Sequence, residues 1–196
     1  MTIEDCIFDN IFYSSWKMFI FQQSTSLYGV PSVIKNTSFT NIAVQTSLLY
    51  LEGRTVNLSL MNVTMKNITQ QQNLPITSGY SSDQTTLPLG ICCSAVRSAQ
   101  LSVESSNFSE IGSHCFGLRD TIFTLKSSQF DNSQLLDTEE DSIVKEDISS
   151  LDDKSGVSWI TIEGTSYSSG DIYQVLIQDT KFIKNGILSK SGGVRK

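Results

Sequence analysis

The chain has 196 residues, 39% of them hydrophobic and 17% charged, with a formal net charge of −6. That length suits one domain with a continuous core, and the negative balance argues against a nucleic-acid partner. No apolar run approaches the roughly 18 residues of a membrane-spanning helix, and Met18-Phe19-Ile20-Phe21, with Glu4, Asp5 and Asp9 before it, is too short for a secretory signal core.

Residues 1–11 hold a motif that returns along the chain. Its centre is a large residue: Phe8, then Phe39, Met65, Phe108, Phe130 and Phe182. Five positions earlier stand Ile3, Ile34, Leu60, Val103, Leu125 and Ile177, always aliphatic. Three earlier come Asp5, Asn36, Asn62, Ser105, Ser127 and Asp179, short and polar. Two earlier come Cys6, Thr37, Val63, Ser106, Ser128 and Thr180, all small. Two later come Asn10, Asn41, Asn67, Glu110, Asn132 and Lys184. Copies in such register mark a repeat protein.

After the first copy, residues 15–23 read as a strand and 24–32, with Gly29 and Pro31, as a turn. The second copy occupies 33–42, and the third closes at Ile68. Residues 70–89, with two prolines and no period, form an inserted loop. The fourth and fifth copies follow, separated by a Gly112-Ser113 turn. A second insertion, 134–157, is acidic: residues 137–153 hold eight acids and one lysine. Trp159 resumes the strand pattern, and the sixth copy follows. Both insertions fall at one point of the repeat, which places them on one edge of a solenoid, two coils and roughly 10 Å apart.

Within each copy apolar residues alternate, as at Leu58, Leu60, Val63 and Met65, with a polar residue where the phase breaks. Alternation predicts half-buried strands, and the Asn62-type position a bend between two of them. Upstream lie LLYLEG, ICCSAV, HCFGL and WITIEG, a further strand in each repeat. Such a unit cannot bury its own apolar face, whereas stacked copies can. The spacing of 22 between Phe108 and Phe130 suffices for one turn of a three-stranded coil. A helical period of 3.6 is absent, and so is the leucine-rich frame. The expected fold is all-β: a single-stranded parallel β-helix of about six coils spanning 1–196, right-handed because parallel crossovers almost always are. Neither end carries a polar cap, so the chain reads as a fragment of a longer solenoid.

These residues resemble the pectin-lyase-like β-helix superfamily. Within it, Phe182-Ile183-Lys184-Asn185 followed by Gly192-Gly193-Val194 resembles the polymorphic outer-membrane-protein repeat. The other copies depart from it, having Asn after one intervening residue or Glu110 instead. Polysaccharide lyases of the superfamily use calcium-binding Asp residues and a basic residue on one strand face. Here the outward positions are mostly Ser, Thr, Asn and Gln.

Residues able to carry chemistry are few. His114 is the sole histidine, and nothing around it has the spacing of a zinc site or a catalytic triad. The acidic insertion lacks a calcium-loop frame and reads as a solvated loop. Trp16 and Trp159 are too far apart in sequence to read as a sugar-stacking pair. No catalytic residue, cofactor or metal is therefore expected. Five asparagines lie in Asn-x-Ser/Thr sequons, more than the Ser and Thr content supplies by chance. Asn57 and Asn107 alternate outward and rank first as glycan acceptors, ahead of Asn36, Asn62 and Asn67; Asn67 also fits a stacked asparagine ladder. Counted back from the large residue, Cys93 and Cys115 occupy Tyr50's outward place on successive coils, within disulfide reach.

The leading functional expectation is a structural or adhesive rod segment of a large extracellular or cell-surface glycoprotein, with neighbouring coils or subunits of the same assembly, and glycans, as partners. The alternative is a polysaccharide-binding or polysaccharide-cleaving domain, marked by acid pairs and basic residues stacked on one outward face. A third, trimerisation of the phage-tailspike kind, demands apolar outward stripes. Fold alone assigns no chemistry.

Overall fold

In the computed structural model, residues 1–12, 19–23, 29, 31–44, 47–70, 90–112, 115–131, 134–136, 160–163, 174–183 and 186–188 are described. The chain repeats one sequence of strands. It opens with β1 (Thr2–Glu4), β2 (Ile7–Phe12) and β3 (Ile20–Gln23). It continues through β4 (Ser32–Lys35), β5 (Ser38–Val44) and β6 (Leu49–Glu52), then β7 (Asn57–Met61), β8 (Thr64–Gln70) and β9 (Cys93–Val96). Next come β10 (Gln100–Glu104), β11 (Asn107–Ile111), β12 (Phe116–Arg119), β13 (Ile122–Lys126) and β14 (Gln129–Asp131). The last are β15 (Gln134–Leu136), β16 (Ile160–Glu163), β17 (Gln174–Gln178), β18 (Lys181–Ile183) and β19 (Gly186–Leu188).

The first sheet has the order β1-β4-β7-β10-β13-β17, the second β18-β14-β11-β8-β5-β2, and the third β16-β12-β9-β6-β3. A two-stranded sheet joins β15 to β19. Parallel pairing runs throughout these sheets, from β1 with β4 to β15 with β19. Up to β14 each third element returns to the sheet it left, and from β12 to β19 each fourth, because β15 adds a strand; the arrangement fits a parallel β-helix solenoid. Residues 134–136 thus form a strand where the sequence suggested an insertion; most of that insertion, and 71–89, lie outside the described residues.

The repeat's inner positions stack as its spacing implies. Ile3, Ile34, Leu60, Val103, Leu125 and Ile177 pair in one row. Phe8, Phe39, Met65, Phe108, Phe130 and Phe182 pair in another. The rings of Phe108 and Phe130 stack at 4.9 Å, and those of Phe130 and Phe182 at 4.9 Å. Interior members are fully buried, whereas Phe182, on the outermost strand, keeps 49% of its surface exposed.

The small position between them has its own task. Thr37, Ser106 and Ser128 are buried, and each hydroxyl donates to the carbonyl two residues back, at 2.8, 2.9 and 2.7 Å. The Ser106 and Ser128 oxygens also accept from the next strand level, from Val63 N at 3.1 Å and Ser106 N at 3.1 Å. These bonds satisfy backbone groups that the corner removes from the ladder. Val63 has no hydroxyl to offer, and only packs.

Two corners need left-handed backbone. At the first, Asp5, Asn36, Asn62, Ser105, Ser127 and Asp179 have φ of 53°, 48°, 52°, 51°, 48° and 52°. At the second, Asn10, Asn41, Asn67 and Glu110 have φ of 55°, 54°, 51° and 54°. Short polar residues, Asn and Asp above all, adopt this region at least cost because their side chains bond locally. That is the physical reason for the motif's polar positions.

Candidate functional site

The candidate surface consists of outward rows on the first two sheets. Val33, Ser59, Ser102, Thr124 and Leu176 align on the first. Ser38, Thr64, Asn107, Gln129 and Lys181 align on the second, beside Thr40, Lys66, Ser109 and Asp131. These rows are dominated by hydroxyls and amides. Ion pairs on this surface join Lys35 to Glu4 and Lys66 to Glu110, the latter at 3.5 Å. The Glu4 carboxylate beside it raises the Lys35 ammonium pKa above its ordinary value. Among the described residues the outward apolar residues Ile7, Phe12, Met61 and Leu176 fall on different rows, so they line up in no stripe of the tailspike kind.

At the corners the asparagines form two ladders. Asn36 Nδ2 donates to Asp5 Oδ1 at 3.0 Å, and Asn62 Nδ2 to Asn36 Oδ1 at 3.0 Å. At the second corner Asn41 Nδ2 donates to Asp9 Oδ1 at 2.9 Å, and Asn67 Nδ2 to Asn41 Oδ1 at 2.8 Å. The Thr40 hydroxyl and then the Asn41 amide hold the Asp9 carboxyl below its ordinary pKa. Asn36, Asn62 and Asn67 therefore use the very nitrogen a glycan would occupy. Asn107 is exposed, and half-buried Asn57 donates from Nδ2 to Gln100 Oε1 at the long distance of 3.5 Å.

The cysteines are placed differently from the sequence expectation. Tyr50 pairs with Ser94, and Ser94 with Gly117. Cys93 pairs instead with Leu49 on one side and Phe116 on the other, facing the core. One position earlier, Cys92 stands beside Cys115: Cys92 N donates to Cys115 O at 3.0 Å. All three thiols are completely buried, and these and Cys6 are free in the structure. Neither Cys93 nor Cys115 occupies Tyr50's outward place. The error lies in the turn that precedes the first sheet. It spans residues 53–56 after β6, 97–99 after β9 and only 120–121 after β12. Counting back from the large residue across a turn that shortens by one at each level shifts the frame by one, then two.

No protein-family model, curated protein or solved structure matches the chain. The functional reading rests on its own residues.

The repeat count gives Cys92 and Cys6 no matched partner; two adjacent cysteines, Cys92 and Cys93, offer two rows, and only the strand register chooses between them. His114, Trp16 and Trp159 lie outside the described residues. Among the described residues no group of histidine, cysteine and carboxylate side chains could hold a metal ion. No helix among them is long and apolar enough to cross a membrane.

The central strands of the third sheet, β6, β9 and β12, are buried on both faces. Tyr50, on the outer face, is only 8% exposed, and Ser94 is buried beside it. Gly90 closes against this face: its N–H donates to Ser94 Oγ at 3.0 Å, and Ser94 Oγ lies 2.6 Å from Ser47 Oγ. Burial, and then the Glu52 carboxylate, push the Tyr50 phenol up to about 12, against the opposing pull of Arg97. A phenol whose folded pKa is raised stabilises the fold fully below its ordinary value of 10.0, and that contribution is lost as pH rises through about 12. A late phenolate transition, followed by ultraviolet absorbance, is therefore expected near that pH, and Tyr50→Phe should remove it. If the wild-type and variant titration curves instead part near the ordinary value of 10.0, Tyr50 is solvated.

Proposed function

We propose that the chain is a right-handed, single-stranded parallel β-helix of about six coils that serves as a structural or adhesive rod segment of a large extracellular or cell-surface protein. The observation that carries this reading is the pair of unbroken internal stacks beneath outward rows of neutral polar residues. Stacked levels of one core give a stiff element whose length scales with repeat number. Right-handedness follows from the crossover preference of parallel strands. The repeat's resemblance to pectin-lyase-like proteins, and to polymorphic outer-membrane-protein repeats, points the same way. Neighbouring coils or subunits of the same assembly are the proposed partners, with glycans as a further class.

A second reading is favoured by one observation. Rows of Ser, Thr, Asn and Gln at strand spacing can donate to and accept from sugar hydroxyls, as a polysaccharide-binding or polysaccharide-cleaving domain requires. Secreted expression in a glycosylating eukaryotic host tests the first reading. Peptide mapping should find glycans at Asn107 and Asn57, with the ladder residues Asn36, Asn62 and Asn67 modified less or not at all. Bare Asn57 and Asn107 in secreted protein would remove the glycoprotein reading. The same protein, added to pectin, alginate or a β-glucan, should leave the viscosity unchanged; a progressive fall would replace the rod reading with the enzymatic one.

A further inference from the structure

We propose that Cys92 and Cys115 are the two halves of a cross-strand disulfide that ties neighbouring levels of the third sheet together, closed during folding by exchange with an external disulfide.

Three observations single out this pair. The first is register. Leu49, Cys93 and Phe116 share one row, so the row immediately before it contains Leu48, Cys92 and Cys115. Phe19 continues that row toward β3, its N–H donating to Leu48 O at 2.9 Å in the way Cys92 donates to Cys115. Phe19 packs its ring edge-on against Phe8 and Phe39, which shows that this row faces the core. The second is distance. Neighbouring parallel strands lie about 4.8 Å apart, inside the Cα separation a disulfide spans. The backbone bond from Cys92 N to Cys115 O, 3.0 Å long, sets the two residues side by side on neighbouring levels. The third is the lack of an equal competitor among the described residues. Cys93 is flanked on its own row by Leu49 and Phe116, and the Cys6 thiol donates to Glu4 O at 3.1 Å, at the first corner. The three buried thiols do not form a metal-holding group.

Burial determines when the bond can form. Exchange needs a thiolate with access to the oxidant. In the folded chain burial, and then the Cys92 contact, push the Cys115 thiol well up, so it has neither. Exchange therefore precedes closure of the core. One thiolate attacks the external disulfide, expels one thiolate from it and forms a mixed disulfide. The second cysteine attacks that mixed disulfide at the protein sulfur and expels the other. The external disulfide gains two electrons and, as two thiols, the two protons lost by Cys92 and Cys115. After closure the same burial shields the bond from reductants.

The experiment is refolding of the full chain from denaturant, either with oxidised and reduced glutathione or with a reductant alone. Circular dichroism checks each product for the β spectrum. Free thiols are then alkylated under denaturing acid-quenched conditions, and the tryptic peptides are weighed. In the glutathione sample the peptide containing Cys92 and Cys93 should be joined to the one containing Cys115, two hydrogens lighter than their sum. Trypsin does not separate the doublet, so variants resolve it. Cys93→Ser should keep the cross-link, and Cys92→Ser should lose it. Complete alkylation of β-structured protein refolded in glutathione would overturn the proposal. So would a link that survives Cys92→Ser but not Cys93→Ser, or one confined to material without the β spectrum.

Discussion

Phe108→Ala should lower stability by about 3–5 kcal/mol, the range for removing a fully buried aromatic side chain. For a chain of this size that corresponds to a melting midpoint lower by roughly 6–20 °C, readable by thermal circular dichroism. Phe108 is completely buried. It pairs with Met65 above and Phe130 below, with the Phe130 ring 4.9 Å away and the Phe116 ring meeting it edge-on at 5.1 Å. Truncation removes both ring contacts and leaves a cavity that backbone paired on two sides cannot collapse. Phe182→Ala provides the comparison. Phe182 stacks on Phe130 but keeps 49% of its surface exposed, so its loss should cost well under half as much. Equal losses at the two positions would mean that the row is not ordered as described. Ser109→Ala, on the outward side of the same strand, should change little.

The second large effect is expected at Gly90. A Cβ there would lie 2.2 Å from Gly117 N, 2.2 Å from Cys93 O and 2.6 Å from Phe116 C. All three are backbone atoms of the third sheet, so no side chain can swing away. Gly90→Ala must therefore push the approaching chain off β9 and β12, with loss of the 3.0 Å bond to Ser94. Overpacking of this kind costs about 1–3 kcal/mol, and the buried Ser94 hydroxyl left with fewer partners adds to it. Gly112 is the control. A Cβ there would meet nothing closer than Ile68 O at 3.5 Å, an ordinary contact. Gly112→Ala should be neutral or gain about 0.4–1 kcal/mol through the unfolded chain. Urea midpoints of the two variants give the comparison. A Gly90→Ala midpoint equal to wild type would show that the chain does not close on the third sheet at this point.

The two predictions differ in how much of each the sequence alone supplies. Phe108's place was legible because the path from Val103 through the Ser105 corner to Phe108 has the same length in every copy. A strand, one left-handed residue, one small residue and a second strand leave no room for insertion, so inward and outward positions follow from counting. The polar corners were legible for a related reason: short polar side chains and glycine adopt that backbone at least cost, although Glu110 takes it as well. The sequence by itself therefore determined the two internal stacks, the bends and the outward direction of Asn57 and Asn107.

The strands of the third sheet were legible as LLYLEG, ICCSAV, HCFGL and WITIEG, but tertiary structure alone decided their register. These strands enter from loops and leave through turns of four, three and two residues, at 53–56, 97–99 and 120–121. Turn residues are set by local backbone needs, such as the φ of 110° at Gly53 and 56° at Arg97, and carry no register across the sheet. A shift of one residue exchanges the two faces of a strand. Cys93 thereby moved from an outward place to the core, and Cys92 became Cys115's neighbour. Burial of Tyr50 and the approach of Gly90 to Gly117 depend on what covers the sheet's far side, which is a long-range contact. No period within the repeat encodes it.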